Sequence, residues 1–270
     1  MPGVEVDPII YKAADGVANL TLNRPEAMNS LSMELVYSLH DKIKRVREDD
    51  TVRVVVIRGN DRAFSAGADL KFVNEALKSY SVFTSFVNRL NDAFFALEAL
   101  PVPVIGVIKG FALAGGFEML LACDMALAAD DARIGDQHAN FGLMAGAGGT
   151  ARLIRKVGLQ YAMEICLTGK WLSGKEAAEI GLVLRSVPGD ELEDEVAKLV
   201  GSLKEKSRTG LAFTKRAIVR GLEMPMRQGI DEEVFSLFEY FASSDDPKNG
   251  IRAFIEKRKP DFSAVSHYNG

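Results

Sequence analysis

The run Val52–Arg58 is apolar at nearly every position, and so is the run Val102–Ile108. A strand with one wet face alternates polar and apolar residues. One that does not alternate is buried on both faces, and the sheet it belongs to must be covered on both sides. Each run leads through small residues into a helical pattern. Gly59-Asn60-Asp61 and Ala63-Phe64-Ser65-Ala66-Gly67-Ala68-Asp69-Leu70 follow the first, and Gly110 and Ala112-Leu113-Ala114-Gly115-Gly116-Phe117-Glu118 follow the second. The strand–turn–helix unit therefore occurs twice, at 52–75 and 102–123, in copies too diverged to be an exact sequence repeat. Such a repeat restricts the chain to an α/β architecture.

The flanking segments fit that class. Ile9–Ala13 and Val17–Leu22 are β-rich around Asp15-Gly16, a hairpin turn pair. Leu31, Leu35, Val36, Leu39, Ile43 and Val46 recur at helical spacing behind Ser32, a candidate N-cap. Lys42, Lys44, Arg45 and Arg47 read as that helix's solvated face. Met125–Ala128, Ala132–Ile134 and Val183–Val187 are short strands. Ser173-Gly174-Lys175-Glu176 is a capping box on a helix closed by Gly181. Helices are expected near 190–206, 209–222, 228–242 and 247–258, the last with Asp246 as N-cap before Pro247, and a frayed tail from Asp261. The division expected is a core over 1–199 and a helical region over 200–270, whose apolar faces must be covered by the core or by another subunit.

At 47% apolar and 26% charged residues, the 270-residue chain can build a full core, which excludes wholesale disorder. The apolar stretch at 119–129 is interrupted by Asp124 and ended by Asp130, so no membrane span is expected. A net charge of −4 without a dense basic stripe argues against nucleic acid as a partner. Three histidines (His40, His138, His267) do not suggest a zinc site, and no metal is expected. Cys123 and Cys166 form neither a disulfide framework nor a CxxC pair. The opening Met-Pro-Gly-Val-Glu-Val-Asp lacks the pattern of a signal peptide, so a cytoplasmic location is expected.

The glycine-rich turns admit two explanations. Small side chains allow close strand–helix packing. They also leave backbone N–H groups at a helix start unpaired, and two such turns on neighbouring strands could aim two donors at one oxygen, an oxyanion hole. Neither turn carries a phosphate-loop or dinucleotide pattern.

Several motifs, taken in order, are those of a known family. Asn23-Arg24-Pro25 with Ala27-Met28-Asn29, then Ala63–Leu70, Gly110–Glu118, Gly146-Ala147-Gly148-Gly149-Thr150 and Phe254-Ile255-Glu256-Lys257-Arg258-Lys259 resemble the crotonase (enoyl-CoA hydratase/isomerase) superfamily, over about 9–262. The resemblance implies a spiral of ββα units with a helical C-terminal trimerisation region, in homo-trimers or hexamers. It also implies an acyl-CoA thioester substrate whose coenzyme A is part of the substrate, with no separate cofactor.

Residue by residue, the resemblance implies that the N–H groups of Ala68 and Gly115 form the oxyanion hole. Ala66, Asp69 and Leu70 fall on the lining of the adenine pocket, and Ala27 and Met28 on backbone contacts to CoA. Lys71, Lys257 and Lys259 match or lie near lysines that meet the CoA phosphates, with a surface ion pair as the plain alternative for each. Phe254 matches a residue packed near the CoA of a neighbouring subunit. Glu118 falls on the first of two catalytic glutamates, where a partly buried carboxylate can act as acid or base. Its alternative is a helix-start carboxylate favoured by the dipole.

The second catalytic glutamate is missing. Counting back from Gly146–Thr150 without gaps, its position holds His138 in Gly135-Asp136-Gln137-His138-Ala139-Asn140. Histidine titrates near neutrality and can give or take the proton. On a strand, Asp136 would share a face with His138 and orient its ring. The reading is an enoyl-CoA hydratase-type lyase. The alternatives are a hydrolytic C–C cleavage or other enolate chemistry on a cyclic or branched acyl-CoA using His138, and a catalytically idle binding or scaffold member. The phenylalanines at 83, 86, 94 and 95 are expected to shape the acyl pocket.

Overall fold

The computed structural model describes residues 7–262. The opening residues read for a leader fall outside these except Asp7, as do His267 and most of the tail past Asp261. The hairpin forms as expected: β1 (Ile9–Ala14) pairs antiparallel with β2 (Val17–Leu22). Every later pairing in the same sheet is parallel, and the order is β1-β2-β3-β5-β7-β9, with β3 Val54–Arg58, β5 Val104–Ile108, β7 Met125–Ala129 and β9 Arg185–Val187.

Each small-residue turn hides a second strand. β4 (Ala63–Ser65), β6 (Phe111–Leu113) and β8 (Arg133–Gly135) pair in parallel as a separate sheet. The repeating unit is thus a strand in the large sheet, a strand in the small sheet, then a helix. It occurs three times, closed by α2 (Leu70–Ala76) with α3 (Tyr80–Glu98), by α4 (Gly115–Leu121), and by α5 (Gly149–Thr168). This is the spiral of ββα units implied by the resemblance. Three-residue strands are too short to display a period of two, so the residue pattern alone reads them as turns.

The unbroken apolar runs have the cause inferred for them. Val55, Ile57, Val104 and Ile108 enter the main core with Leu35, Leu39 and Ile43 of α1 (Met33–Glu48), Leu90, Phe94 and Leu97 of α3, and Phe117 of α4. Val54, Val56, Ile105 and Val107 face the other way, into a second cluster closed by Leu192 and Val196 of α7 (Leu192–Lys204). Ser32 caps α1, its Oγ accepting from the Leu35 N–H, and the capping box begins α6 (Gly174–Glu179). Phe86 and Phe94 belong to the core, whereas Phe95 is exposed.

Two expectations need correction. Lys42 is not on a solvated face. It is buried, with its Nζ 2.5 Å from Asp7 Oδ2 and 3.1 Å from Asp41 Oδ2, because its stem lies along the apolar side of α1 and two acids meet its head. The last helix, α10 (Asp246–Ile255), is preceded by Asp245, not Asp246, and Asp246 instead accepts from Ser207 Oγ at the start of α8 (Arg208–Gly221). Between them runs α9 (Met226–Ser243), packed along α8. No helix among the described residues is long and apolar enough to cross a membrane.

Candidate active site

The two glycine-rich turns touch. Gly67 has φ +102°, and a Cβ there would stand 2.9 Å from both the Ala114 Cβ and the Leu113 oxygen. A Cβ on Gly115 would stand 2.9 Å from Leu31 Cδ1 and 3.3 Å from the Ala68 nitrogen. Close packing therefore does require small residues here, and the same closeness sets the Ala68 N–H beside Gly115. Amides on either side have partners. Ala66 N–H donates to Met28 O (3.0 Å), Gly67 N–H to Ser65 Oγ (3.3 Å), Asp69 N–H to Leu31 O (3.0 Å) and Ala114 N–H to Gly135 O (3.2 Å). The N–H groups of Ala68 and Gly115 have no acceptor among the described residues. Ala114, the N-cap of α4, sits at φ +48° and ψ −117°. A residue with a Cβ adopts that conformation only when its surroundings hold it, and here it sets the entry of α4.

Glu118 lies in the first turn of α4 and is only 2% exposed. Its Oε1 accepts from the Ala147 N–H (2.6 Å) and the Gly149 N–H (3.0 Å), the amides at the start of α5. Its Oε2 has no donor among the described residues. Burial pushes the Glu118 pKa up, and nearby Asp136 adds to the rise. The His138 charge and the two amides oppose this without cancelling it.

His138 opens a 3-10 turn (His138–Phe141) just beyond β8. Asp136 does orient its ring, but not across a strand face, because β8 has ended. Asp136 Oδ1 accepts both the His138 backbone N–H (3.0 Å) and Nδ1–H (2.5 Å), which leaves Nε2 as the free ring nitrogen. Burial alone would depress the His138 pKa. The bond to Asp136, the Asp136 charge and the Glu118 charge outweigh it, and the pKa is raised. For Asp136, burial works upward but the His138 bonds and charge win, and the pKa is lowered. Cys166 on α5 lies near Asp136, and burial first, then the Asp136 and Glu118 charges, push its thiol to about 12.

The structure gathers most of the positions assigned to CoA. Ala66 is bonded to Met28, Leu31 N–H donates to Gly67 O (2.8 Å), and Arg24 Nη2 reaches Asp69 Oδ2 at 3.2 Å. Asp69 is the N-cap of α2, its side chain accepting from the Lys71 and Phe72 N–H groups. Ala27, Met28, Leu70 and Lys71 surround this knot, with Met28 and Leu70 exposed. Lys71 and Lys257 form no ion pair among the described residues, whereas Lys259 closes on Glu205 (2.6 Å). Phe254 and Lys257 lie at the end of α10, and no hydrogen bond, ion pair or ring contact joins them to the knot. Phe254 is 85% exposed. No group of three or more metal-ligating side chains occurs among the described residues.

The structure brings Glu118, His138 and Asp136 together, and what holds them is not visible in the residue pattern. The Ala147 and Gly149 amides were readable only as part of a glycine-rich motif before a helix. Cys166 gave no signal, because its contact to Asp136 crosses from α5 to the loop after β8.

A family model described as enoyl-CoA hydratase/isomerase matches residues 12–265. A probable enoyl-CoA hydratase from Mycobacterium leprae is 33% identical over 96% of this chain and 99% of its own length. A 2,3-dehydroadipyl-CoA hydratase from Escherichia coli is 35% identical over 94% of this chain and 98% of its own. The crystal structure of an enoyl-CoA hydratase from Bacillus anthracis superposes with a TM-score of 0.89 at 34% identity, covering 95% of this chain and 99% of that one.

Proposed function

This chain belongs to the enoyl-CoA hydratase/isomerase (crotonase) family, and on that premise we propose that it is a hydro-lyase adding water across the α,β double bond of an enoyl-CoA thioester. The thioester oxygen is held by the N–H groups of Ala68 and Gly115, which stabilise the charge that develops on it as an enolate forms. The water oxygen bonds to the β carbon while Glu118 Oε2 takes its proton. His138 Nε2–H then delivers a proton to the α carbon as the enolate collapses. One proton leaves water, one arrives at carbon, and exchange with solvent resets both side chains.

The observation that carries this reading is the state of Glu118. It is a buried carboxylate with one oxygen fixed by two amides and the other without a protein donor, next to two turns with unpartnered amides and in electrostatic contact with His138. The test is hydration of crotonyl-CoA, read as loss of the conjugated enoyl absorbance, in wild type and Glu118→Ala. Loss of turnover by orders of magnitude is expected, and wild-type activity in the variant overturns the assignment. An acetoacetyl-CoA complex would locate the thioester oxygen relative to Ala68, Gly115, Glu118 and His138.

The Asp136–His138 pair favours one second reading. A histidine fixed by a buried carboxylate also suits attack of water on a carbonyl carbon, and so C–C cleavage of a cyclic or branched acyl-CoA. Mass spectrometry with fragmentation on an acyl-CoA panel separates the two, since hydration leaves a ring intact. His138→Glu bears on the same choice, because a gain in simple hydration would favour the second reading.

The CoA chain is assigned to Ala27, Met28, Ala66, Asp69, Leu70 and Lys71, with Phe254 and Lys257 supplied across an interface in a homo-trimer or hexamer. Support for an interface comes from the uncovered Met226, Phe238, Phe254 and Ile255 on α9 and α10, and light scattering of the purified protein tests it. The two free cysteines fit a reducing, cytoplasmic setting.

A further inference from the structure

Glu118 depends on a loop that is itself held by a side chain with no role in the scheme above. Arg152, in the first turn of α5, grips Glu98 at the end of α3 through two bonds, Nε to Oε1 at 2.6 Å and Nη2 to Oε2 at 2.7 Å. Its remaining terminal nitrogen, Nη1, donates to the Ala147 carbonyl at 2.8 Å. The N–H of that same Ala147 donates to Glu118. The guanidinium lies over the rings of Phe95 (5.1 Å) and Phe94 (6.0 Å), which keep it from swinging away.

A second observation shows that the loop is shaped around this guanidinium. Gly148 has φ +90°, and a Cβ there would stand 1.9 Å from Arg152 Nη1. A Cβ at that position would push the guanidinium off its present path to Ala147 O. The neighbouring carbonyls are fixed as well, Gly146 O by Asn91 Nδ2 (2.9 Å) and Gly148 O by the Arg152 N–H (2.9 Å).

We propose that Arg152, locked by Glu98, is a positioning residue for Glu118: it fixes Ala147 so that the Ala147 and Gly149 amides converge on one carboxylate oxygen and leave the other for substrate. This rests on the role of Glu118 proposed above. Arg152 touches no reacting atom, and the planar fork that engages Glu98 and Ala147 together cannot be reproduced by lysine. The two amides favour the ionised carboxylate, so slackening them lets burial push Glu118 further toward its protonated form. The other titratable groups facing Glu118 are Asp136 and His138 from the loop after β8 and Cys166 from α5, and none of them is altered by the test.

The experiment compares wild type, Arg152→Ala and Glu98→Gln, with Glu118→Gln identifying the Glu118 carboxyl band in an infrared pH titration. Circular dichroism and light scattering check fold and assembly. In Arg152→Ala the Glu118 titration moves to higher pH and kcat for crotonyl-CoA falls about 10–100-fold, with KM within about 3-fold, since a small misplacement of a reacting group acts on turnover. Glu98→Gln, which keeps the arginine but weakens its anchor, shifts both in the same direction by less. If Arg152→Ala fails to fold, Glu98→Gln decides. Folded variants with unmoved titration and kcat overturn the proposal, and a lowered melting temperature alone would indicate only a structural strut. The titration needs no turnover. A fully active Glu118→Gln would therefore overturn the role given to Glu118 separately from the positioning effect.

Discussion

Replacing Gly67 by alanine isolates what the contact between the two turns does. The new Cβ would stand 2.9 Å from both Ala114 Cβ and Leu113 O, with backbone on one side and a rigid methyl on the other. Carbon atoms pack at about 3.5–4.0 Å, so the turns must part by roughly 0.6–1.1 Å. The residue must also keep φ near +102° with a side chain, at a cost of about 1–2 kcal/mol. At about 2–4 °C per kcal/mol for a chain of this size, melting should fall by roughly 2–8 °C. The catalytic consequence is separate. Moving the Ala68 N–H away from the Gly115 N–H by that distance should lower kcat for crotonyl-CoA about 10²-fold. Gly181→Ala is the control: Gly181 also has positive φ, +75°, but a Cβ there meets nothing within 4 Å, so it loses stability without displacing the turns. Steady-state kinetics and scanning calorimetry on both variants decide. A folded Gly67→Ala whose kcat lies within about 3-fold of Gly181→Ala would refute the reasoning that joins turn contact to oxyanion binding.

Glu118→Gln should lower kcat about 10²–10⁴-fold yet raise the melting temperature at pH 8. Burial raises the folded Glu118 pKa, so the charged form costs stability above the unfolded value; the gain should vanish as pH falls below that value, and an unchanged melting curve at pH 8 counts against it. Lys215→Met should cost about 1–3 kcal/mol in urea unfolding, because Lys215 Nζ lies 2.7 Å from Asp124 Oδ2 and its loss takes the closest cation from a half-buried carboxylate. A loss under about 1 kcal/mol would show that Asp124 is held well enough by the Val104 N–H. The kcat–pH profile should be a bell, rising as Glu118 ionises and falling as His138 loses its proton. In Asp136→Asn the falling limb should move to lower pH, since Asp136 is what chiefly raises His138; a limb that stays in place would show that His138 does not control it.

Residue patterns revealed the elements whose signal is local. The two-faced strands β3 and β5 needed only their missing alternation, and α1 and α6 needed only their caps. The small sheet was not legible, because β4, β6 and β8 are each three residues long and their pairing joins segments far apart in the chain. Lys42 misled for a related reason: its partner Asp7 lies 35 residues away, before β1. At the candidate site, motif matching singled out Glu118 and His138, and the structure places them close enough to feel each other's charge. The fixing of Glu118 was not legible, since the Ala147 and Gly149 amides leave no side-chain trace. Gly148 is the sharpest instance: its φ of +90° suits glycine, and the space where a Cβ would stand is taken by the guanidinium of Arg152 four residues on.

On the proposed reading His138 stands in for a second glutamate, and that exchange alters the electrostatics more than the chemistry. Two buried carboxylates side by side repel, so one must stay protonated for the other to ionise. Here the pairing has opposite charges. Asp136 raises the His138 pKa, and positive charge on His138 draws the buried Glu118 toward its ionised form against the pull of desolvation. On that reading the base and the acid of hydration coexist at one pH, without the two groups sharing a proton. The cost moves to Asp136, which must remain ionised while nearly sealed from solvent, and its hydrogen bonds from the His138 backbone and ring, with the His138 charge, are what hold its pKa down.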